Sequence, residues 1–376
     1  MQYKLYGMYS SLYTARVRAF LRYRKIPFVE HSVSESEFHS KLVKKVGRVI
    51  MPVLVDENGE VFQDGSDIID VLENRHPGKW PVLPENRLLQ AISYLFELFG
   101  NEGLLRPAMH YRWNFDEHNL SYLENEFTTS LAPQTDKSTQ LSVFEFAEKR
   151  MRKTTEMLGV TPERIEHIED AYAEFLQLFK HHLERNPYLL GGHPTIGDFA
   201  LLGPLYAHLG RDPYPSMQMK KEAPEVFRWI ERMHSPEMRQ CEYESSGDLF
   251  CTRDLPDTLI DLMQFVAEDF LPEIDAHIEF TEDWLQSHPN LEVGTNGLDD
   301  PAKRILGKCT FKWRGLEMTT VVMPYRFYLL QKLQAFSKDP DVLNLFKETG
   351  LSTMLEKKLS RRVLRENYLE VWSASS

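Results

Sequence analysis

Residues 50–73 have the sequence IMPVLVDENGEVFQDGSDIIDVLE, which predicts a strand, a tight turn, a returning strand and a helix. Residues 53–55 form a short apolar, mostly β-branched run, and the Asn-Gly step at 58–59 is one that hairpin turns favour. Asp64 or Ser66 can cap the following helix, whose apolar residues recur at helical spacing. The stretch is therefore a β-hairpin that leads into a capped helix.

Pro52 lies at the entry of the first of these strands, where a proline is tolerated because it has no N–H to donate to the ladder. If the Met51-Pro52 peptide bond is cis, the chain turns sharply there and presents the backbone of Met51. An exposed backbone N–H and C=O beside a helix N-terminus would bind an extended peptide that carries a carboxylate. The alternative is a surface proline that opens an ordinary hairpin, and both interpretations fit this stretch.

Composition limits the classes of protein that the chain can represent. Its 376 residues favour two or three domains, and 42% hydrophobic residues with 12% aromatic exclude wholesale disorder. A net charge of −12 argues against nucleic acid as the main partner, and we interpret the one basic cluster, residues 357–362, as a solvated helical face. Cys241, Cys251 and Cys309 form no Cys-x-x-Cys pair, so a disulfide framework and a zinc ribbon are disfavoured and a reducing cytoplasm fits.

The N-terminal region has a clear order of predicted elements. Residues 3–8 predict a strand, residues 14–25 a helix, residues 26–29 a second strand and residues 35–46 another helix. With the hairpin and helix described above, the order is βαβ-α-ββα. The N-terminus has no signal-peptide core, and no stretch is apolar and long enough to span a bilayer, so we expect a cytoplasmic protein.

The rest of the chain is predicted to be largely helical, with a loop or irregular crossover at the polar residues 123–138. Thr195 and Asp198 form a capping box before an apolar helix, which is a folding role. Removing Asp198 should cost about 1 kcal/mol or more. Residues 308–323 alternate around a glycine and predict a second β-hairpin.

Three of these segments resemble the glutathione transferase superfamily: residues 2–28, the Met-Pro-Val-Leu element at 51–54, and Thr-Ile-Gly-Asp at 195–198. The resemblance implies an α/β thioredoxin-like N-terminal domain with a cis-proline loop, followed by an all-α helical domain. The remaining third of the chain matches no motif of the family and is predicted to be an α+β C-terminal extension. The expected boundaries are 1–78 for the thioredoxin-like domain, 79–86 for a linker, 87–240 for the helical domain and 241–376 for the extension.

In this family, the residue that activates the glutathione sulfur lies between the first strand and the first helix. Counting back from Arg16 gives Ser11. A free thiol has a pKa near ~8.5, so a hydroxyl donor at a helix N-terminus would stabilise the thiolate. The alternatives are a plain N-cap role for Ser11 and activation by Tyr9, Ser10 or Tyr13.

The resemblance also implies which residues hold glutathione and its reaction partner. The expected glutathione-binding residues are Ser11, Met51, Pro52, Asp64, Gly65 and Ser66. The acid-serine pair of the family matches Asp64-Gly65 here, with Ser66 one place later, which removes or displaces a hydroxyl. Tyr111 and Trp113, beside Arg112, are the implied contacts of the electrophilic substrate.

The resemblance implies an enzyme that uses glutathione as a cosubstrate. The glutathione thiolate would attack a small apolar electrophile, in a conjugation or in a glutathione-dependent lyase or isomerase step. A homodimer is the default expectation for the family, with no metal site and no nucleic acid partner. A non-catalytic binding or scaffold protein that reuses the fold is the alternative, because a fold does not fix a function.

Overall fold

The computed structural model describes residues 2–237, 241–243 and 247–375. The first domain contains β1 (Tyr3–Gly7), α1 (Leu12–Tyr23), β2 (Phe28–Ser32), α2 (Val43–Val46), β3 (Val53–Val55), β4 (Val61–Gln63) and α3 (Gly65–Arg75). The four strands form one sheet in the order β2-β1-β3-β4. β1 is parallel to β2, whereas β3 is antiparallel to both β1 and β4. This mixed sheet confirms the predicted thioredoxin-like domain.

The hairpin between β3 and β4 forms as its sequence predicts. Val53 pairs with Gln63, so the residues just before β3 and just after β4 lie at the same edge of the sheet. The Asp56 carboxylate closes the turn by accepting hydrogen bonds from the Asn58 and Glu60 amides, at 2.9 and 2.8 Å. Gly59 has φ of 79°, a left-handed conformation that glycine adopts without strain.

The second domain is all-helical, as predicted. Its helices are α4 (Arg87–Leu98), α5 (Leu105–Trp113), α6 (Asp116–Leu131), α7 (Lys137–Met157), α8 (Ile165–Leu183), α9 (Ile196–Ala207), α10 (Pro213–Glu222) and α11 (Pro224–His234). α9 is buried along nearly its whole length and packs against both α4 and α1. The helix thus joins the core of the second domain to the first domain.

The predicted loop at residues 123–138 is wrong, because most of this segment lies in α6 and the start of α7. Leu123 and Phe127, one helical turn apart, are buried on the inner face of α6. Phe127 packs edge-on against both Trp113 and Phe144. These few apolar contacts are enough to stabilise a helix whose outer face is polar. The many polar residues of that outer face led to the prediction of a loop.

The predicted capping box at the start of α9 is present. One oxygen of Asp198 accepts a hydrogen bond from the Thr195 amide at 2.8 Å, and the other accepts from the Leu189 amide at 2.9 Å. The indole N–H of Trp229 also donates to Asp198, at 3.3 Å. Asp198 is fully buried, so it joins α9, the preceding loop and α11 in addition to capping a helix.

The C-terminal extension combines helices with two hairpins. It contains α12 (Asp257–Asp269), α13 (Leu271–Ser287), β5 (Gly307–Trp313), β6 (Leu316–Val322), α14 (Tyr325–Gln334), α15 (Pro340–Glu348), α16 (Ser352–Glu356), β7 (Arg361–Glu366) and β8 (Leu369–Ser375). The predicted hairpin at 308–323 is confirmed as β5 and β6. The basic cluster at 357–362 is not the expected helical face, because Arg361 and Arg362 begin β7.

The extension packs tightly on the helical domain and shares one apolar core with it. Leu262, Val266 and Leu330 of the extension belong to the same buried cluster as Leu95 and Phe99 of the second domain. Within the described residues, no helix is long and apolar enough to cross a membrane.

Candidate functional site

The cis-proline loop and the N-terminus of α3 lie side by side. The Met51-Pro52 peptide bond is cis, as the family resemblance implied. Because Val53 pairs with both Tyr6 and Gln63, the loop lies between the end of β1 and the start of α3. Asp64 has φ of 83° and caps α3 by accepting hydrogen bonds from the amides of Ser66 and Asp67, at 2.8 and 3.4 Å.

Gly65 has a steric reason to replace the serine of the family. A Cβ at this position would lie 3.0 Å from Cδ and 3.2 Å from Nε of Arg16. The Arg16 side chain runs under α3 and donates hydrogen bonds to Ser66 Oγ at 3.2 Å and to Glu97 Oε1 at 3.0 Å. The Ser66 hydroxyl is fully buried and itself donates to Glu97, so it faces the interior instead of an open peptide site.

Ser11 is the N-cap of α1. Its Oγ accepts a hydrogen bond from the Thr14 amide at 3.2 Å, and the residue is half-buried. Among the residues that the structure describes, this hydroxyl accepts that hydrogen bond and donates none. The cap role and a donor role are therefore compatible, because the first uses the oxygen lone pair and the second uses the O–H.

The three rivals of Ser11 have different surroundings. Tyr9 is 53% exposed and lies with its ring 4.7 Å from the Arg18 guanidinium. Ser10 is buried, and its carbonyl accepts a hydrogen bond from Arg112 at 3.0 Å. Burial raises the pKa of Tyr13, so its hydroxyl stays protonated.

The extension covers the acidic N-terminal turns of α3. The Tyr325 hydroxyl donates a hydrogen bond to Asp64, and the Tyr328 hydroxyl donates to Asp67 at 2.6 Å. Arg365, on β7, forms an ion pair with Asp67 at 2.9 Å. Burial raises the pKa of Asp64, but the Arg365 and Arg16 guanidinium groups outweigh it and hold this pKa below its ordinary value.

A second contact lies on the other side of the cis-proline loop. Arg48 forms two hydrogen bonds to the Glu370 carboxylate, at 2.9 and 3.0 Å, and both side chains are almost fully buried. Burial raises the pKa of Glu370, but Arg304 and Arg48 outweigh it and lower the pKa to about 2. The Tyr368 hydroxyl donates to the Val61 carbonyl at 3.2 Å. The turn between β7 and β8 is thereby held against the sheet of the first domain.

Two segments of the sequence match families of known proteins. Residues 5–80 match the family described as "Glutathione S-transferase, N-terminal domain". Residues 162–232 match the family described as "Glutathione S-transferase, C-terminal domain". These two matches support the resemblance of the chain to the glutathione transferase superfamily. No curated protein sequence matches the chain.

Solved structures of two glutathione transferases and a β-etherase are similar to this chain over about two thirds of its length. A glutathione S-transferase from Methylobacterium radiotolerans in complex with glutathione sulfonate is 19% identical, covers 67% of this chain and 100% of its own, and has a TM-score of 0.39. The β-etherase LigF from Sphingobium is 17% identical, covers 62% of this chain and 96% of its own, and has a TM-score of 0.42. A glutathione transferase from Phanerochaete chrysosporium is 15% identical, covers 64% of this chain and 99% of its own, and has a TM-score of 0.44.

The residues predicted to contact the electrophile are part of the packed interior. Trp113 is 1% exposed and packs against Phe127, and Tyr111 stacks on Phe115 with ring centroids 5.4 Å apart. Arg112 is also buried and pairs with Asp212 at 2.6 Å. Both side chains are therefore packed in apolar clusters, and Trp113 shares its cluster with Met8 and Leu12, which flank Ser11 in the sequence. Their contact with a substrate stays a prediction.

Sequence reasoning missed the cover over this transferase-type site, although a signal was present. Acidic side chains recur every third residue at the start of α3, and partners of complementary chemistry recur at helical spacing on α14. The contacting pairs are Asp64 with Tyr325, Asp67 with Tyr328, and Asp70 with Lys332. Matching these two stripes would have placed α14 on α3.

Proposed function

We propose that the protein is a glutathione-dependent enzyme in which Ser11 activates the glutathione thiol. The position of Ser11 as the N-cap of α1 carries this proposal. Ser11 follows β1 by four residues, and β1 is antiparallel to β3, so the start of α1 and the cis-proline loop lie at the same edge of the sheet. A donor at a helix N-terminus is favourably placed to stabilise an anion, here a thiolate.

The chemistry requires no proton from Ser11. The thiol loses its proton to solvent, and the Ser11 hydroxyl donates a hydrogen bond to the resulting thiolate. A sulfur lone pair then forms a C–S bond with an electrophilic carbon of a small apolar molecule. The leaving group departs with the electron pair of the bond that breaks. Ser11 lowers the pKa of the bound thiol and so raises the fraction that is reactive at neutral pH.

The remaining site residues would hold the peptide. The Met51 backbone beside cis-Pro52 would pair with the extended chain of glutathione, as strands pair at a sheet edge. The Asp64 carboxylate, beside Gly65 at the start of α3, would bind the ammonium group of the γ-glutamyl end. A homodimer in the cytoplasm is part of the same proposal.

Replacing Ser11 with alanine should lower the rate of a generic conjugation reaction about 10- to 100-fold, because a hydrogen bond to a charged group contributes about 1.5–3 kcal/mol. At saturating glutathione, the pH profile of kcat/KM for the electrophile should shift upward by about 1–2 pH units. The reason is that the pKa of the bound thiol rises by the equivalent of the same free energy. The dissociation constant of reduced glutathione, measured by calorimetric titration, should change little.

Ser10→Ala tests the adjacent rival, and because the Ser10 side chain is buried, this variant should keep the wild-type rate if Ser11 is the activator. Unchanged activity in Ser11→Ala would move the activating role to Tyr9, Ser10 or Tyr13. No binding of glutathione by the wild type would instead favour the second candidate, a binding or scaffold protein. That candidate is supported by one observation: Asp64 and Arg48 already have charged partners within the chain.

A further inference from the structure

The turn that joins β7 and β8 presents both a positive and a negative side chain to the first domain. We call residues 365–370 the tip. Within the tip, Arg365 donates hydrogen bonds to Gln63 and Asp67, and Glu370 accepts two from Arg48. The tip therefore contacts the first domain on both sides of the cis-proline loop, at the strand end before α3 and at the segment before Pro52.

The charges of the tip match those of a glutathione molecule. Glutathione carries one ammonium group and two carboxylates, and the tip presents to this face one guanidinium group and one carboxylate, which also pair with each other at 2.5 Å. The Arg365 guanidinium lies where the acidic residues of α3 would bind an ammonium group, and it helps to neutralise Asp64. The Glu370 carboxylate pairs with Arg48, the arginine that would otherwise bind a carboxylate of a small peptide. The same protein groups cannot serve the tip and such a ligand together.

The tip and the base of this hairpin are held by different forces. At the base, Trp372 is buried, donates a hydrogen bond to the Asn296 carbonyl at 3.2 Å and stacks on Trp284. Val363 is buried there as well. At the tip, Tyr368 packs partly buried against the core of the first domain, but the charged contacts are buried ion pairs, and the desolvation of such pairs offsets much of their attraction. A ligand of similar charge can thus replace the tip contacts while the apolar base stays in place.

We propose that the tip is an internal ligand of the glutathione site and that glutathione binds only by displacing it. This inference rests on the function proposed above, since it concerns the same site. The extension is then an autoinhibitory element, and the affinity for glutathione is reduced by the fraction of molecules whose site is occupied by the tip.

The test compares the wild type with the double variant Arg365→Ala/Glu370→Ala in calorimetric titrations with reduced glutathione. Removing both tip charges takes Arg365 away from Asp64 and Asp67 and takes Glu370 away from Arg48, so the dissociation constant should fall at least about tenfold. Arg362→Ala is the matched control, because it removes an exposed cation from the same strand and should leave the dissociation constant unchanged. Circular dichroism verifies that each variant is folded.

Hydrogen exchange of the wild type gives a second measurement that needs no variant. Saturating reduced glutathione should increase exchange of the amides of the tip, whereas unchanged or slower exchange there would overturn the inference. Equal affinity of the wild type and the double variant would also overturn it and would leave the proposed function standing. Failure of both proteins to bind glutathione would overturn the proposed function itself, and the inference with it.

Discussion

Replacing Arg326 with alanine should lower the free energy of unfolding by about 3–5 kcal/mol, because it leaves buried carboxylates without their counter-ion. Arg326 lies on α14, is 1% exposed and donates hydrogen bonds to Glu102 at 2.9 Å and to Glu273. Glu273 also pairs with Arg106, so the cluster joins α14 and α13 of the extension to the helical domain. Burial raises the pKa of Glu102, and Arg326 is the main group that opposes this shift.

The shift in the midpoint of urea unfolding measures this effect. Lys303→Ala is the matched control, because the Lys303–Asp299 pair also lies in the extension but is exposed on both sides. An exposed pair contributes only about 0–1 kcal/mol, so the control should unfold near the wild type. If both variants unfolded at the same urea concentration, the buried cluster would not hold the extension to the core.

The sequence predicted the local part of the site well. The cis-proline loop, the cap at Asp64 and the cap at Ser11 each depend on residues within a few positions of one another, and all three form. Their chemistry follows from turn and cap preferences that act before any tertiary contact. Short-range rules were therefore sufficient for the two caps, whereas the cis bond before Pro52 was implied by the family resemblance.

The sequence did not predict the side chains that contact the site from distant positions in the chain. Arg365 meets Asp67 from 298 positions away, and Glu370 meets Arg48 from 322 positions away. No local pattern fixes such pairs, since any exposed acidic stripe has many cationic residues that could face it. The glycine at position 65 could not be explained from local sequence either, because the space for a side chain there is limited by the Arg16 side chain, which runs under α3.

The extension changes the meaning of the family resemblance. Most of the residues predicted to hold glutathione lie at one edge of the first domain, yet Asp64 and the arginine near the cis-proline loop are neutralised by the chain itself. A fold and its motifs indicate what a site can bind when it is open. Whether it is open here depends on a segment that the family motifs do not cover.

Replacing Asp198 with alanine should lower the free energy of unfolding by at least about 3 kcal/mol, since a lost cap costs about 1 kcal/mol and each further stranded buried donor costs about 1–3 kcal/mol. The donors that lose their acceptor are the amides of Leu189 and Thr195 and the indole N–H of Trp229. Asp136→Ala is the matched control, because Asp136 also caps a helix but is exposed. That variant should lose only the cap contribution of about 1 kcal/mol.

The pH dependence of this difference gives an independent check on burial. Burial raises the pKa of Asp198 to about 6, against an ordinary value of 3.8, so between these values the folded protein binds a proton that the unfolded chain releases. The linked stabilisation is complete below about pH 4 and is lost as the pH rises to about 6. The gap in unfolding free energy between the wild type and Asp198→Ala should therefore be largest near pH 4, narrow up to pH 6 and stay constant above it. A gap that widened over this range would mean that the four hydrogen bonds to the carboxylate outweigh its desolvation.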